Sequence, residues 1–561
     1  MLAERAGQVA EARASLDPLL SKEAAGALAP RERARALALS ATLYGRQAAQ
    51  AAQADADFEA AVAADPRLPE VRLALAGWRL RRGEPAAAVK AMEPLQAGAA
   101  SDPAQAEILI RGLAGTGRAL DATQLATEAL TRSPGDPRLL MARAAIHEQA
   151  GEREAAATLY QQALDRAPDD VRPRVALGRL ALAAKDLPVA ARELEAAVAK
   201  APGSPEAQAT LGDLRLAEGK QAEAEKAYQA ALQLDREFAQ AEIGLAQLTL
   251  ARGDVEAARA GLLRALAVEP RNAGAHAALG ALLWRSGDLA GAEKALATAV
   301  SLAPADAVAR IRLGAVKLER GDVAGALVDA EAGCNLQLQL AEGHHWLGRA
   351  LLAKGETPGA LAQLQRSVEM APGNAVYLLH LGLAQEKANA LADAIDSYRA
   401  SAAADPRLPD PQERLGQLYA GNGRCDEAIP AFEKALLAAP AVTRVKLALA
   451  DCRLKTRKGA EAVRLFREVL KEDPAAVQVL YRLARALHET QGLAAALPWY
   501  ERAAKEDKVN PMPHYYLGYA FKERGARPRA VQEFKAYLAL RPDADDKDDI
   551  LREIEDLGGA P

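Results

Sequence analysis

The sequence predicts an all-α solenoid of helix hairpins, and three observations predict it. Alanine occupies every thirty-fourth position from Ala54 to Ala530, fifteen times without a miss. Around that alanine, glycine recurs five residues earlier in ten copies and proline twelve residues later in eleven. Aromatic residues make up only 4% of a chain that is 50% apolar, so the core is filled by alanine, leucine and valine, side chains that let helices approach closely. A fixed period of this length marks an array in which each unit buries its apolar face only against its neighbours. The 561 residues therefore read as one elongated domain rather than several globular ones.

With Ala54 placed at position 20, fifteen repeats of 34 residues start at 35, 69, 103 and so on to 511, and the frame closes at 544 with no insertion. Before it, residues 1–34 read as a half repeat and a linker. Gly7, Ala12, Leu16 and Leu19 match positions 15, 20, 24 and about 27, and a looser stretch with Gly26 and Pro30 follows. This implies that more repeats or another domain preceded Met1, directly or in an ancestor. In the first helix of each unit, position 7 is usually leucine (Leu177, Leu211, Leu279, Leu347, Leu415, Leu517) and position 8 is Gly or Ala in thirteen copies. Position 15, the frequent glycine, suits the left-handed conformation that ends a helix. In the second helix, position 24 is Leu, Tyr or Phe in most copies and position 27 is Ala, Gly or Ser in twelve, so large side chains face the gaps left by small ones. Proline at position 32 closes that helix. Residues 545–561 form a capping helix, with acids from Asp545 to Asp549 at its start, Ile550, Leu551, Ile554 and Leu557 on one face, and Gly558-Gly559 as a stop.

Leu-Gly in the first helix, Ala and an aromatic in the second, and the closing Pro resemble the tetratricopeptide repeat (TPR) family at its own spacing. The resemblance implies a right-handed superhelix of about two turns, with first helices lining a concave groove that takes extended peptides or helices of other proteins. The family's tryptophan at position 4 is absent here, with His276, His344 and His514 among its replacements.

Composition and motifs exclude several classes. A balance of 71 basic and 75 acidic residues offers no general field for a phosphate backbone, so nucleic acid is not expected as a partner. Cys334, Cys425 and Cys452 lack paired metal or redox spacing and read as small buried residues, although the last two fall in adjacent repeats. No stretch approaches the ~18 apolar residues of a membrane span. The adjacent His344 and His345, with His380 one repeat on, could approach a metal, but no acidic or cysteine ligand matches their spacing, so no metal is assigned. Gly112, Gly115 and Gly117 have the wrong spacing for a dinucleotide loop, and His488-Glu489 lacks the second histidine of a metalloprotease helix. No enzyme, cofactor or catalytic residue is expected.

The resemblance places groove contacts at positions 2, 5, 9 and 12, with 6 nearby. In the middle of the array these are bland: Ala209, Ile243, Gln247, Leu250, Ala277, Ala281, Ile311 and Ala315. From residue 341 onward they become aromatic and polar, and the groove residues expected to hold a protein or peptide are His345, Arg349, His380, Tyr481, Arg482, Arg485, His488, Tyr515, Tyr519 and Lys522. Tyr and Arg are enriched at binding hot spots. Position 9 holds no asparagine, so the family's carboxylate clamp is not carried over. The expected function is a non-catalytic scaffold or adaptor. Ala and Arg usage suits a high-GC bacterium, and the segment Phe534 to Leu557 looks like the ends of such proteins from gliding soil bacteria, which points to motility or cell-envelope assembly. The alternatives are the recruiting arm of an enzyme whose catalytic domain lies upstream, or the periplasmic repeat region of a polysaccharide export system. The cytoplasm is the favoured compartment, with the periplasm or a lipid anchor if the natural start lies upstream.

Overall fold

A computed structural model describes residues 28–560 except Arg46, together with Ser15, Leu16, Pro18 and Leu20. Leu16 apart, the residues that suggest an initial half repeat lie outside that set. The protein is 80% helical, with 31 helices and no strand among the described residues. It divides into two compact units, Met1–Leu336 and Gln337–Pro561.

In the first unit, helix pairs such as Pro103–Gly115 with Ala119–Arg132, and Pro205–Ala217 with Gln221–Leu234, keep the sequence frame. Two places depart from it. One helix runs Pro30–Tyr44, so Pro30, expected in a linker, instead starts a helix, where its missing N–H costs nothing. The helix Pro85–Met92 stops early and continues as a 3-10 stretch, Glu93–Ser101. Pro94 sits where a continuing α-helix needs a donor, and its ring opposes the carbonyl one turn back.

The second unit runs from Ala341–Lys354 to Arg527–Leu540 in pairs and ends with the helix Lys547–Asp556. Ile550 and Ile554 of that last helix are fully buried, and the hydroxyl of Tyr537 donates to Asp546 at 2.8 Å. One continuous apolar core reaches from Leu379 to Ile554 and contains Tyr398, Phe432, Phe466, Tyr500 and Phe534, all at position 24.

Small and large positions meet as the sequence leads one to expect. A Cβ placed on Gly212 would lie 2.6 Å from the ring of Tyr228; on Gly280, 2.6 Å from Leu296; on Gly382, 2.6 Å from Tyr398; on Gly416, 2.5 Å from Phe432. In these four copies position 8 is glycine because the position 24 side chain of the same hairpin occupies the space a Cβ would need.

All ten position 15 glycines adopt positive φ, from Gly83 at 69° to Gly355 at 93°. Among the described residues the positive-φ non-glycine residues are Lys185, Asn389 and Arg457, near 60°, and each stands at position 15 of its own repeat. The hairpin imposes the left-handed turn whether or not the residue suits it. Asparagine tolerates that conformation; lysine and arginine do not. Lys185→Gly and Arg457→Gly should each raise stability by roughly 0.5–1 kcal/mol, after the glycine's own entropy loss; urea titration of each variant reads the effect.

Position 4 has a role beyond packing. Arg72 donates to the carbonyl of Pro66 at 2.8 Å, and His276 and His344 reach the carbonyls of Pro270 and Leu338 at 3.0 Å. In each case a polar side chain at position 4 closes over the carbonyl at position 32 of the preceding repeat, satisfying an acceptor that the terminating helix leaves open.

Candidate functional site

Within the second unit, the helix Thr443–Lys455, the helix Val477–Gln491 and the loop before Met512–Glu523 enclose a cleft of about 720 Å³. Its walls carry Asp451, Lys455, Gln478, Tyr481, Arg482, Arg485 and Asn510. Gln478, Tyr481, Arg482 and Arg485 are positions 2, 5, 6 and 9 of one helix, so they share a face. Arg482 donates to Asp451 at 2.8 Å across the repeat junction, and Arg485 donates to Glu489 one turn on at 3.0 Å. Burial raises the Asp451 carboxyl above its usual range, opposed by Arg482, Lys455 and Arg485. The two guanidinium groups are thus held at fixed positions while remaining about half exposed, at 41% and 53%. Such a surface presents directed donors beside an aromatic ring.

Tyr481 leans on an aromatic bank behind the cleft. Tyr500 and Tyr516 stack with centroids 5.1 Å apart and planes 12° apart, and His488 meets Tyr516 edge-on at 5.8 Å. Burial, then the neighbouring Tyr516, pushes the Tyr481 hydroxyl up to about 12, so it stays a neutral donor. Tyr515 packs edge-on to Tyr537, and Tyr519 to Phe534, both further along the array. Lys522 is paired with Glu553 of the terminal helix. Of the ten groove residues expected from sequence, the cleft gathers Tyr481, Arg482 and Arg485. His488, Tyr515, Tyr519 and Lys522 support the bank and the terminal helix.

His345, Arg349 and His380 form a separate group. His345, expected as a polar groove contact, is only 3% exposed, which corrects that expectation. Tyr377 of the next repeat stacks on its ring at 4.5 Å and covers it. Arg349 lies over Trp346 at 4.3 Å. His380 Nδ1 is 2.8 Å from the Val376 carbonyl and 3.1 Å from His345 Nε2. A carbonyl only accepts, so His380 Nδ1 carries the proton and His345 Nε2 accepts. The His345 proton then sits on Nδ1, which is buried with no hydrogen-bond partner among the described residues.

Burial, followed by the positive charges of His380 and Arg349, lowers His345 to about 2; burial and Arg349 lower His380 to about 4. Both values lie below the ordinary 6.5, so the unfolded chain binds these protons first. The stabilising contribution is full above pH 6.5 and is lost as pH falls towards about 4, where His380 itself ionises. The thermal midpoint of the second unit should decline over that window, with a shallower slope in His380→Gln; an unchanged slope would contradict the assignment.

The first unit holds a smaller cleft, about 460 Å³, lined by Asp213, Phe238, Gln240, Ile243, Gln247 and Glu269 among others. Asp213 accepts from the Tyr228 hydroxyl at 2.7 Å and from Gln240 at 2.6 Å, and burial raises its carboxyl. The middle of the array is therefore less bland, at the positions expected to line a groove, than the sequence suggests. Asp213 and Asp451 both stand at position 9, one of the registers expected to line the groove, though neither is among the expected contact residues.

Among the described residues no group of three histidine, cysteine or acidic side chains is placed to hold a metal ion, and no helix is long and apolar enough to cross a membrane.

A tetratricopeptide repeat model matches residues 109–171, 243–307, 278–333, 347–409, 413–462 and 447–513, more than half of the chain. The chain belongs to the tetratricopeptide repeat family. Two further models of the same repeat match residues 147–214 and 205–238. Among solved structures, the TPR protein is similar to the C-terminal part of a TPR repeat-containing protein from Cytophaga hutchinsonii, at 18% identity over 43% of this chain and 99% of that one, TM-score 0.39. It is also similar to the Cut9–Hcn1 hetero-tetramer of the APC/C, at 14% identity over 91% and 95%, TM-score 0.40. A third is YrrB, described as a TPR protein with an unusual peptide-binding site, at 21% identity over 33% and 95%, TM-score 0.27. No curated protein matches the TPR chain in sequence. Repeats of this family are in general a protein-interaction scaffold.

Proposed function

We propose that this TPR protein is a non-catalytic scaffold that holds a protein or peptide partner in the cleft of its second unit. The observation that carries the reading is the convergence of Tyr481, Arg482, Arg485, Gln478 and Asn510 on one cleft of about 720 Å³. The repeat-defining positions build the hairpins and are buried, so they are unavailable to a ligand. The cleft uses positions at which the copies differ. Tyrosine and arginine there combine contact area with directed hydrogen bonds, and Asp451 holds Arg482 in place before binding, which lowers the ordering cost of association. An extended backbone suits the donor and acceptor of the exposed Gln478 side-chain amide. Motility or cell-envelope assembly is the context we favour, on the composition and closing segment of the chain.

The test is affinity capture on the full chain and on Tyr481→Ala/Arg485→Ala, with both eluates quantified by mass spectrometry. Partners that bind the cleft disappear from the variant while its helical circular dichroism is retained; an unchanged set of captured proteins rejects the reading.

A further inference from the structure

Cys425 and Cys452 are the two thiols that sequence spacing places in adjacent repeats. Cys425 is the first residue of the helix Cys425–Ala438, and Cys452 lies in the next helix, Thr443–Lys455. Both are buried, at 5% and 2% exposure, and their Sγ atoms are 2.7 Å apart. That separation is well inside a hydrogen-bond contact between two sulfurs, and about 0.7 Å beyond a covalent S–S bond. Each side chain therefore aims its sulfur at the other across a junction between repeats. Cys334, in the first unit, has no such neighbour among the cysteines.

We propose that Cys425 and Cys452 are a cross-linking site: a small-molecule disulfide oxidises them to an intramolecular disulfide that staples the second helix of one repeat to the first helix of the next. The reaction is a double exchange. Cys425, at the end of its helix, becomes reachable when the first turn frays. Its thiolate attacks one sulfur of glutathione disulfide, forming a mixed disulfide and releasing one glutathione thiolate. The Cys452 thiolate then attacks Cys425 Sγ, the mixed S–S bond breaks, and the second glutathione leaves. The two protons lost by the cysteines end on the two glutathione thiols, and the two electrons pass from the pair to the glutathione disulfide. Burial and the adjacent thiol push Cys452 up to about 12, so the Cys452 thiol rests protonated.

The staple closes a loop that includes the whole of the helix Cys425–Ala438, and removing that loop's freedom from the unfolded chain raises stability. It also bears on the cleft. Asp451, which holds Arg482, is the neighbour of Cys452, and Leu454 and Lys455 of the same helix line the cleft wall. Oxidation thus fixes the wall that carries Asp451.

The experiment incubates the full chain with glutathione disulfide, blocks remaining thiols with iodoacetamide, and maps peptides without reduction. The expected result is a linked Cys425–Cys452 peptide with Cys334 alkylated, and a thermal midpoint raised by about 5 °C that dithiothreitol reverses. Cys334→Ser leaves both readouts intact, and Cys425→Ser and Cys452→Ser each abolish them. Three alkylated thiols, glutathione mixed disulfides alone, or a linked peptide with no change in midpoint would overturn the proposal.

Discussion

Phe432→Ala is expected to lower the stability of the second unit by about 3–5 kcal/mol, the range for emptying a fully buried aromatic site. Phe432 fills the space that Gly416 leaves open, 2.5 Å from where a Cβ would stand, and belongs to the continuous core that runs to the terminal helix. Gly416→Ala is destabilising for the opposite reason, because its methyl overlaps the phenyl ring, and costs about 1–3 kcal/mol. The two changes are not additive. In the double variant the alanine methyl enters the cavity left by the ring, so the pair should lose less than the sum of the single losses. Urea titration of the four proteins, read by circular dichroism at constant slope, measures that coupling. Strict additivity would mean that positions 8 and 24 are not packing partners.

The second large effect concerns binding. Arg482→Ala, Arg485→Ala and Tyr481→Ala should each weaken partner capture by at least about tenfold, as truncation of hot-spot side chains does. Arg482 and Arg485 are half exposed and pair with Asp451 and Glu489, so their removal leaves the helix core intact. Arg467→Ala, an exposed change on the second helix of the neighbouring hairpin, is the control and should bind normally. Equal capture by all four variants would separate the cleft from recognition.

Much of the fold was legible because one hairpin pattern recurs along the chain at a fixed period. Position 8 announced a close approach, position 15 a left-handed turn, and the acids and isoleucines after Asp545 a terminal helix, which Ile550 and Ile554 bury. What the repeat consensus hid are its exceptions. Lys185 and Arg457 read as ordinary helix formers, yet their backbones are left-handed because the flanking helices fix the turn. In the repeat with Gln491 at position 15, the helix Val477–Gln491 runs on to that residue, and Gly492 takes the positive φ one place later. Pro94 broke a helix that the period alone would have continued.

The site was less legible, since register gives a side chain's direction but not what covers it. Position 5 carries both His345 and Tyr481. Tyr377 stacks over the first, while the second reaches a cleft wall. Asp451 was missed because an acid beside cations reads as a solvated face; only the structure sets it 2.8 Å from Arg482 in the next repeat.

The most direct test of the central claim places a photoreactive benzophenone amino acid at Gln478, an exposed cleft residue, and, in a separate protein, at Val308, the same register position in the first unit. After illumination with captured partner, the account predicts a covalent adduct from position 478 and none from 308. An adduct from 308 alone, or from neither position while the partner remains bound, would contradict it.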